Sequence, residues 1–138
     1  MIIDGSDNIL GRLASFAAKS GLDGEEIVIL NCENIVVSST KEFLLDHYKQ
    51  RIDRGHPYHG PFFPKLPDRI VKRTIRGMLP YKKERGRNAF KKVKCYLGIP
   101  SEYKGKEFEK AKIADTTKYR TLNYLKLSRI SEHLGKKI

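Results

Sequence analysis

A chain of 138 residues with 28 Lys and Arg against 16 Asp and Glu, net +12 at pH 7, has the length of one domain and a strong cationic surplus. An apolar fraction of 39% excludes a disordered composition, and two cysteines exclude a disulfide framework. A surplus of this sign points to a polyanionic partner, either nucleic acid or an acidic membrane surface.

The first apolar run, Met1–Asp4, reads as a short strand ended by Gly5. It has no basic n-region and no long apolar stretch, so a secretory signal is not expected. Asp7 or Asn8 is a candidate cap for a helix in which Leu10, Leu13, Ala14, Ala17 and Ala18 recur with helical spacing. Gly21 and Gly24 close that helix. Next, Ile27-Val28-Ile29-Leu30 is a continuous apolar run whose first three residues are β-branched, the pattern of a parallel strand buried on both faces. It is the longest apolar run and far short of the roughly 20 residues of a membrane span. Ile35–Val37 reads as a second short strand. Ser39 or Thr40 then caps a helix with Phe43, Leu44, His47 and Tyr48 on one side.

Residues 55–67 hold Gly55, Pro57, Gly60, Pro61, Pro64 and Pro67, which exclude regular structure. A helix over Asp68–Leu79 follows and is stopped by Pro80. The pattern then predicts a short helix near Tyr81–Phe90 and a strand over Val93–Leu97. Residues 103–115 carry no clear signal. Thr121 is a candidate cap for a last helix with Leu122, Leu125, Ile130 and Leu134 on its apolar side. The alternation of buried strands and helices predicts an α/β domain.

Charge divides this single domain, 1–138, into parts. Residues 1–48 hold three basic and eight acidic residues, net −5, and read as an acidic scaffold part. Residues 49–138 hold 25 basic and eight acidic, net +17. Within them, 49–100 reads as the basic RNA-contacting part and 101–138 as a C-terminal extension and helix. From Lys65 to Lys94 twelve basic residues face only Asp68 and Glu84.

The helix at 68–79 is the most informative feature. Arg69, Lys72, Arg73 and Arg76 fall on one stripe, and Ile70, Val71, Thr74, Ile75 and Met78 take the other side. Four like charges on one stripe repel one another, and a phosphate backbone would neutralise them. Lys49, Arg51, Arg54, His56, His59 and Lys65 precede the stripe as RNA-binding candidates. Lys82, Lys83, Arg85, Arg87, Lys91 and Lys92 follow it in the same role. Arginine suits bidentate contact with phosphate, and lysine acts as a mobile point charge. Tyr81 and Phe90 are candidates for stacking on bases, with Phe90 also a candidate for the core. Tyr58, Phe62 and Phe63 either pack back on the domain or dock on RNA or a neighbouring protein. With few apolar anchors and dense charge, 55–67 and 81–94 are expected to order on RNA.

Other chemistry is poorly supported. His56 and His59 are spaced like metal ligands, but Cys32 and Cys95 read as small buried apolar residues on distant strands. The segment Asp4–Arg12 joins a strand to a helix, yet it matches no phosphate-loop spacing, and Asp4 and Asp7 would repel phosphate. No catalytic motif or carboxylate pair is present. No enzyme, metal, cofactor, small-molecule substrate or membrane partner is expected.

Three segments resemble a known family. Ile9-Leu10-Gly11-Arg12-Leu13-Ala14-Ser15 follows the first strand. Arg76-Gly77-Met78-Leu79-Pro80-Tyr81-Lys82 runs into Arg85-Gly86, and Val93-Lys94-Cys95-Tyr96-Leu97-Gly98-Ile99-Pro100 comes later. Together they resemble the universal large-subunit ribosomal protein thirteen family (uL13-type), in an archaeal-like form. The resemblance implies a three-layer α/β/α fold with a four-stranded, mainly parallel sheet and basic extensions. It also implies a structural role on large-subunit ribosomal RNA beside neighbouring large-subunit proteins, in the cytoplasm and early in subunit assembly. A regulatory RNA-binding module acting off the ribosome is the alternative.

Overall fold

A computed structural model describes residues 1–111, 114–118 and 123–137. Strand β1 (Ile2–Asp4) leads into helix α1 (Leu10–Leu22), strand β2 (Ile27–Leu30) and, after a 3₁₀ turn at Cys32–Asn34, strand β3 (Val36–Ser38). Helices α2 (Lys41–Asp53), α3 (Pro67–Met78) and α4 (Glu84–Lys92) come next, then β4 (Val93–Cys95), β5 (Tyr124–Lys126) and α5 (Leu127–His133).

The main sheet is parallel in the order β1-β2-β4. Its register pairs Ile3 with Ile29, Ile27 with Val93 and Ile29 with Cys95. Side chains alternate across a sheet, so Ile3, Ile27, Ile29, Val93 and Cys95 share one face. All five belong to or pack on the core that also contains Leu13, Ala17, Ile70, Val71 and Ile75. The crossovers from β1 to β2 and from β2 to β4 step the same way across the sheet. Right-handed crossovers of that kind place their helices on one face, and α1 packs against both α3 and α4. Helix α5 packs with α2, α3, β5 and the 3₁₀ turn.

The α/β class and the mainly parallel sheet are as expected. The strand count differs. Among the described residues the main sheet has three strands, and a fourth position is marked only by a parallel bridge between Ile3 and Glu109. The expected strand at 35–37 instead leaves the main sheet and pairs antiparallel with β5. Leu125 therefore lies in a strand and not on the apolar side of a helix, and α5 starts at Leu127. Thr121 and Leu122 fall outside the described residues. The cap at Asp7 or Asn8 is also corrected. Asp7 has φ 56° and Asn8 is buried, its amide donating to the Asp4 carbonyl at 2.7 Å, and α1 begins after Ile9 with no side-chain cap. Thr40 precedes α2 likewise without a capping hydrogen bond. Gly24, at φ 100°, ends the α1 region in the left-handed conformation that glycine tolerates best.

Cys32 and Cys95 are corrected in place as well. Cys32 is fully buried in the 3₁₀ turn, and Cys95 is half-buried on β4. Contact with the Cys95 thiol, followed by burial, pushes the Cys32 thiol well above its usual range, which keeps it protonated and inert.

The expectation for 81–94 changes in the structure. Ala89 and Val93 are buried, α4 rests on α1, and Gly86 sits so close to Pro80 that a Cβ would overlap its carbonyl. These apolar anchors hold the segment without RNA. The loop ahead of α3 has fewer: Tyr58 is 86% exposed and Phe62 70%. In the isolated protein, hydrogen exchange should therefore be fast at 56–63 and slow at 27–30 and 86–95. Fast exchange across 86–95 would mean that α4 and β4 are held by RNA after all.

Candidate nucleic-acid interface

Helix α3 is built to show two faces. Pro67 stands at its first position, where a missing N–H costs nothing, and Asp68 places a negative charge near the positive end of the helix. Ile70, Val71 and Ile75 point into the core. Arg69 and Arg76 are exposed, and Lys72 and Arg73 half-buried, on the stripe opposite. Thr74 is half-buried and its hydroxyl donates to the Ile70 carbonyl at 3.0 Å. Met78 does not join the core: it is 43% exposed, with its sulfur 3.5 Å from the Ser15 hydroxyl.

Aromatic rings, not carboxylates, hold the stripe in place. The Arg73 guanidinium lies 4.9 Å from the centre of the Phe63 ring and donates to the Phe62 carbonyl at 3.1 Å. Lys72 stands 5.2 Å over Phe90, and Arg76 5.3 Å over Tyr81. A ring face attracts a cation without cancelling its charge. The two ion pairs among the described residues, Lys126–Asp7 and Arg129–Glu132, lie elsewhere. The cations on α3 thus stay oriented and available to an anion. Phe90 is half-buried against the core, and Tyr81 is exposed.

The end of α2 joins this surface. Arg51 lies 5.4 Å from the same Phe63 ring and 6.0 Å from Tyr48. Arg51, Arg54 and Arg73 line one cleft with Pro61 and Phe63. Residues far apart in sequence so form one arginine cluster around a single phenylalanine. Phe63 packs back on the domain, touching Tyr48 with ring centres 5.9 Å apart, whereas Tyr58 and Phe62 face solvent. Phe43, expected beside Leu44 and Tyr48, is 59% exposed and stacks on His47 at 5.6 Å. Partial burial, and then Arg51 and Arg54, hold His47 below the usual imidazole range.

The remaining candidates divide. Lys49 is exposed on α2, while Lys82 and Lys83 are exposed ahead of α4 and Arg87 and Lys91 on it. His56 and His59 are exposed and stack with ring centres 5.3 Å apart, and the His56 Nδ1 accepts from the Tyr58 N–H at 3.2 Å. Lys65 is half-buried, and its carbonyl accepts from the buried Ser131 hydroxyl at 2.7 Å. Arg85 and Lys92 turn the other way. Arg85 reaches the Leu22 carbonyl at 3.5 Å and Lys92 the Gly24 carbonyl at 2.8 Å. They complement the negative end of α1 and stand apart from the α3 stripe. Sequence reasoning missed the ring partners of the cations, although the aromatic residues interleaved with the charge from Tyr48 to Phe90 were a signal for them.

The loop at Asp4–Arg12 is internally committed. Asp4 accepts from the Asn31 amide at 2.9 Å and from the Ser6 N–H at 3.0 Å. Burial alone would raise the carboxyl of Asp4, but these bonds and the charge of Lys110 outweigh it and hold the group below its ordinary value. An ionised carboxylate at this loop does not favour a phosphate.

Comparison with known proteins adds an independent finding. The family described as "Ribosomal protein L13" matches residues 1–102. The chain is 45% identical over 135 residues to the large ribosomal subunit protein uL13 of Archaeoglobus fulgidus, covering 97% of this chain and 86% of that protein. It is 46% identical to the protein of that name from Methanosarcina barkeri, covering 99% and 98%. Against the Haloarcula marismortui protein the identity is 42%, covering 98% and 90%.

Proposed function

Because the chain belongs to the ribosomal protein L13 family, we propose that it is a structural, non-enzymatic constituent of the cytoplasmic large ribosomal subunit, with ribosomal RNA and neighbouring ribosomal proteins as its partners. The observation that carries this reading is similarity to large-subunit proteins over nearly the whole chain, 97% and 99% of it in two archaeal relatives. The interface belongs to the same proposal. The α3 stripe, extended by Arg51 and Arg54, contacts RNA phosphates; a row of oriented cations without carboxylate partners on it supports this. Lys49, Lys82, Lys83, Arg87 and Lys91 add exposed charge around it. Residues 1–48 serve mainly as scaffold, because their apolar residues fill the sheet and α1 core.

Sedimentation of a cell extract through sucrose tests the reading directly. The protein should travel with large subunits and stay there in moderate salt. A position at the top of the gradient would overturn it and leave a module acting off the ribosome.

A further inference from the structure

Beside the α3 stripe lies a cleft of about 260 Å³ with Arg69, Lys72, Arg73 and Arg76 along one side. Its other walls are apolar, formed by Phe62, Pro64 and Phe90. A row of phosphate-binding cations needs no such cleft, since a duplex backbone would rest on the stripe from outside. From this juxtaposition we propose that the cleft receives one unstacked RNA nucleotide, its base against Phe62 and its phosphate on the α3 cations. The proposal rests on the reading of this face as an RNA contact surface and adds to it the form of the RNA.

Three observations carry it. The first is Phe62 itself, an aromatic ring 70% exposed at the cleft mouth. Every base has a π-face, so such a ring favours a base without reading its sequence. The bases of a paired helix are already stacked on one another, and only a bulged, looped or terminal base is free to reach the ring.

The second is preorganisation. The Arg73 guanidinium is fixed from two directions, by the Phe62 carbonyl at 3.1 Å and by the Phe63 ring. The bond to Phe62 ties the loop that bears the ring to the helix that bears the charge. Phe62 also leans over Gly60, where a Cβ would come 3.2 Å from the ring, and Gly60 at φ 74° has none. These contacts set the Phe62 ring beside the α3 cations.

The third is the charge of the lining. Four cations and no carboxylate line the cleft. Lys72 is drawn over Phe90 at 5.2 Å, which leaves its ammonium at the edge of the cavity. An apolar peptide would have to desolvate these cations without neutralising them. A nucleotide supplies both a ring and an anion.

The test uses the full chain and two short RNAs, a fully paired duplex and the same duplex with one unpaired adenosine. The intact protein should bind the bulged RNA about 10-fold more tightly, as expected for one base stacked on an aromatic side chain. Phe62→Ala should bring the two affinities together by weakening only the bulged RNA, with the salt slope on the duplex unchanged. Phe62→Tyr should keep the preference. Because Phe62 is largely exposed, both variants should melt with the parent, which is checked alongside. No preference in the parent, or a preference that survives Phe62→Ala, would overturn the nucleotide receptor and leave phosphate contact standing. If replacing all four α3 cations with Gln leaves both affinities untouched, the RNA-surface reading itself falls.

Discussion

Replacing Arg69, Lys72, Arg73 and Arg76 together with Gln should leave the fold intact and remove a substantial part of the salt dependence of RNA binding. Each cation in contact with a phosphate releases a counterion, so the slope of log affinity against log salt should flatten by about 0.7–0.9 per lost contact, or about 3 for four contacts. The fold should survive because its anchors on α3 are Ile70, Val71 and Ile75, all on the opposite face. The change removes three cation–ring contacts, at Phe63, Phe90 and Tyr81. At such partly exposed sites each is worth about 0.5–1 kcal/mol. Relief of repulsion among four cations on one stripe offsets part of that loss. The expected signature is a small drop in melting temperature with a large change in salt slope. Salt titrations of binding to subunit RNA, parent against variant, measure it. An unchanged slope with unchanged affinity would show that the stripe is only solvated. The single change Arg73→Lys separates charge from shape. It keeps the slope but gives up the planar stack on Phe63 and bidentate phosphate contact.

The opposite signature is expected from the scaffold. Leu13 on α1 and Ile29 on β2 are each 0% exposed and belong to the same core. Leu13→Ala or Ile29→Ala should cost about 2–5 kcal/mol, the lost transfer energy plus the cavity that close-packed neighbours cannot fill. Such a loss is a large share of the roughly 5–15 kcal/mol that a domain has in total. Below the melting transition, RNA affinity and salt slope should match the parent. Chemical denaturation gives the first quantity and binding at low temperature the second. Lost RNA binding in a variant as stable as the parent would place α1 or β2 in the interface.

These two results are expected to separate because the core anchors Ile70, Val71 and Ile75 lie on the face of α3 opposite its four cations, while Leu13 and Ile29 are enclosed in the same core. The uneven charge behind this expectation was visible in the net −5 of residues 1–48 against the net +17 of 49–138. The elements that bear it were visible too. The apolar spacing of Leu10 to Ala18 specified α1, the run Ile27–Leu30 specified a strand buried on both faces, and Pro67 and Pro80 bracketed α3. Less was legible at β5. Tyr-Leu-Lys is three residues with no alternation strong enough to distinguish a strand from the start of a helix, and its strand character comes from pairing with Val36–Ser38, nearly ninety residues earlier.

The sequence by itself determined which residues are apolar, how they recur and where the cations are dense. Helical and strand periodicity are properties of neighbouring residues, so the two faces of α3 follow from spacing alone. Only the tertiary structure decided what each cation does. Arg73 and Arg85 look alike in a basic run. One is turned by Phe63 and the Phe62 carbonyl toward an open cleft, and the other is drawn to the Leu22 carbonyl at the end of α1. Likewise Arg51, on another helix, joins Arg73 because both reach the same ring. Coulomb and ring–cation attractions depend on distance in space, and that distance is set by how the sheet and helices pack.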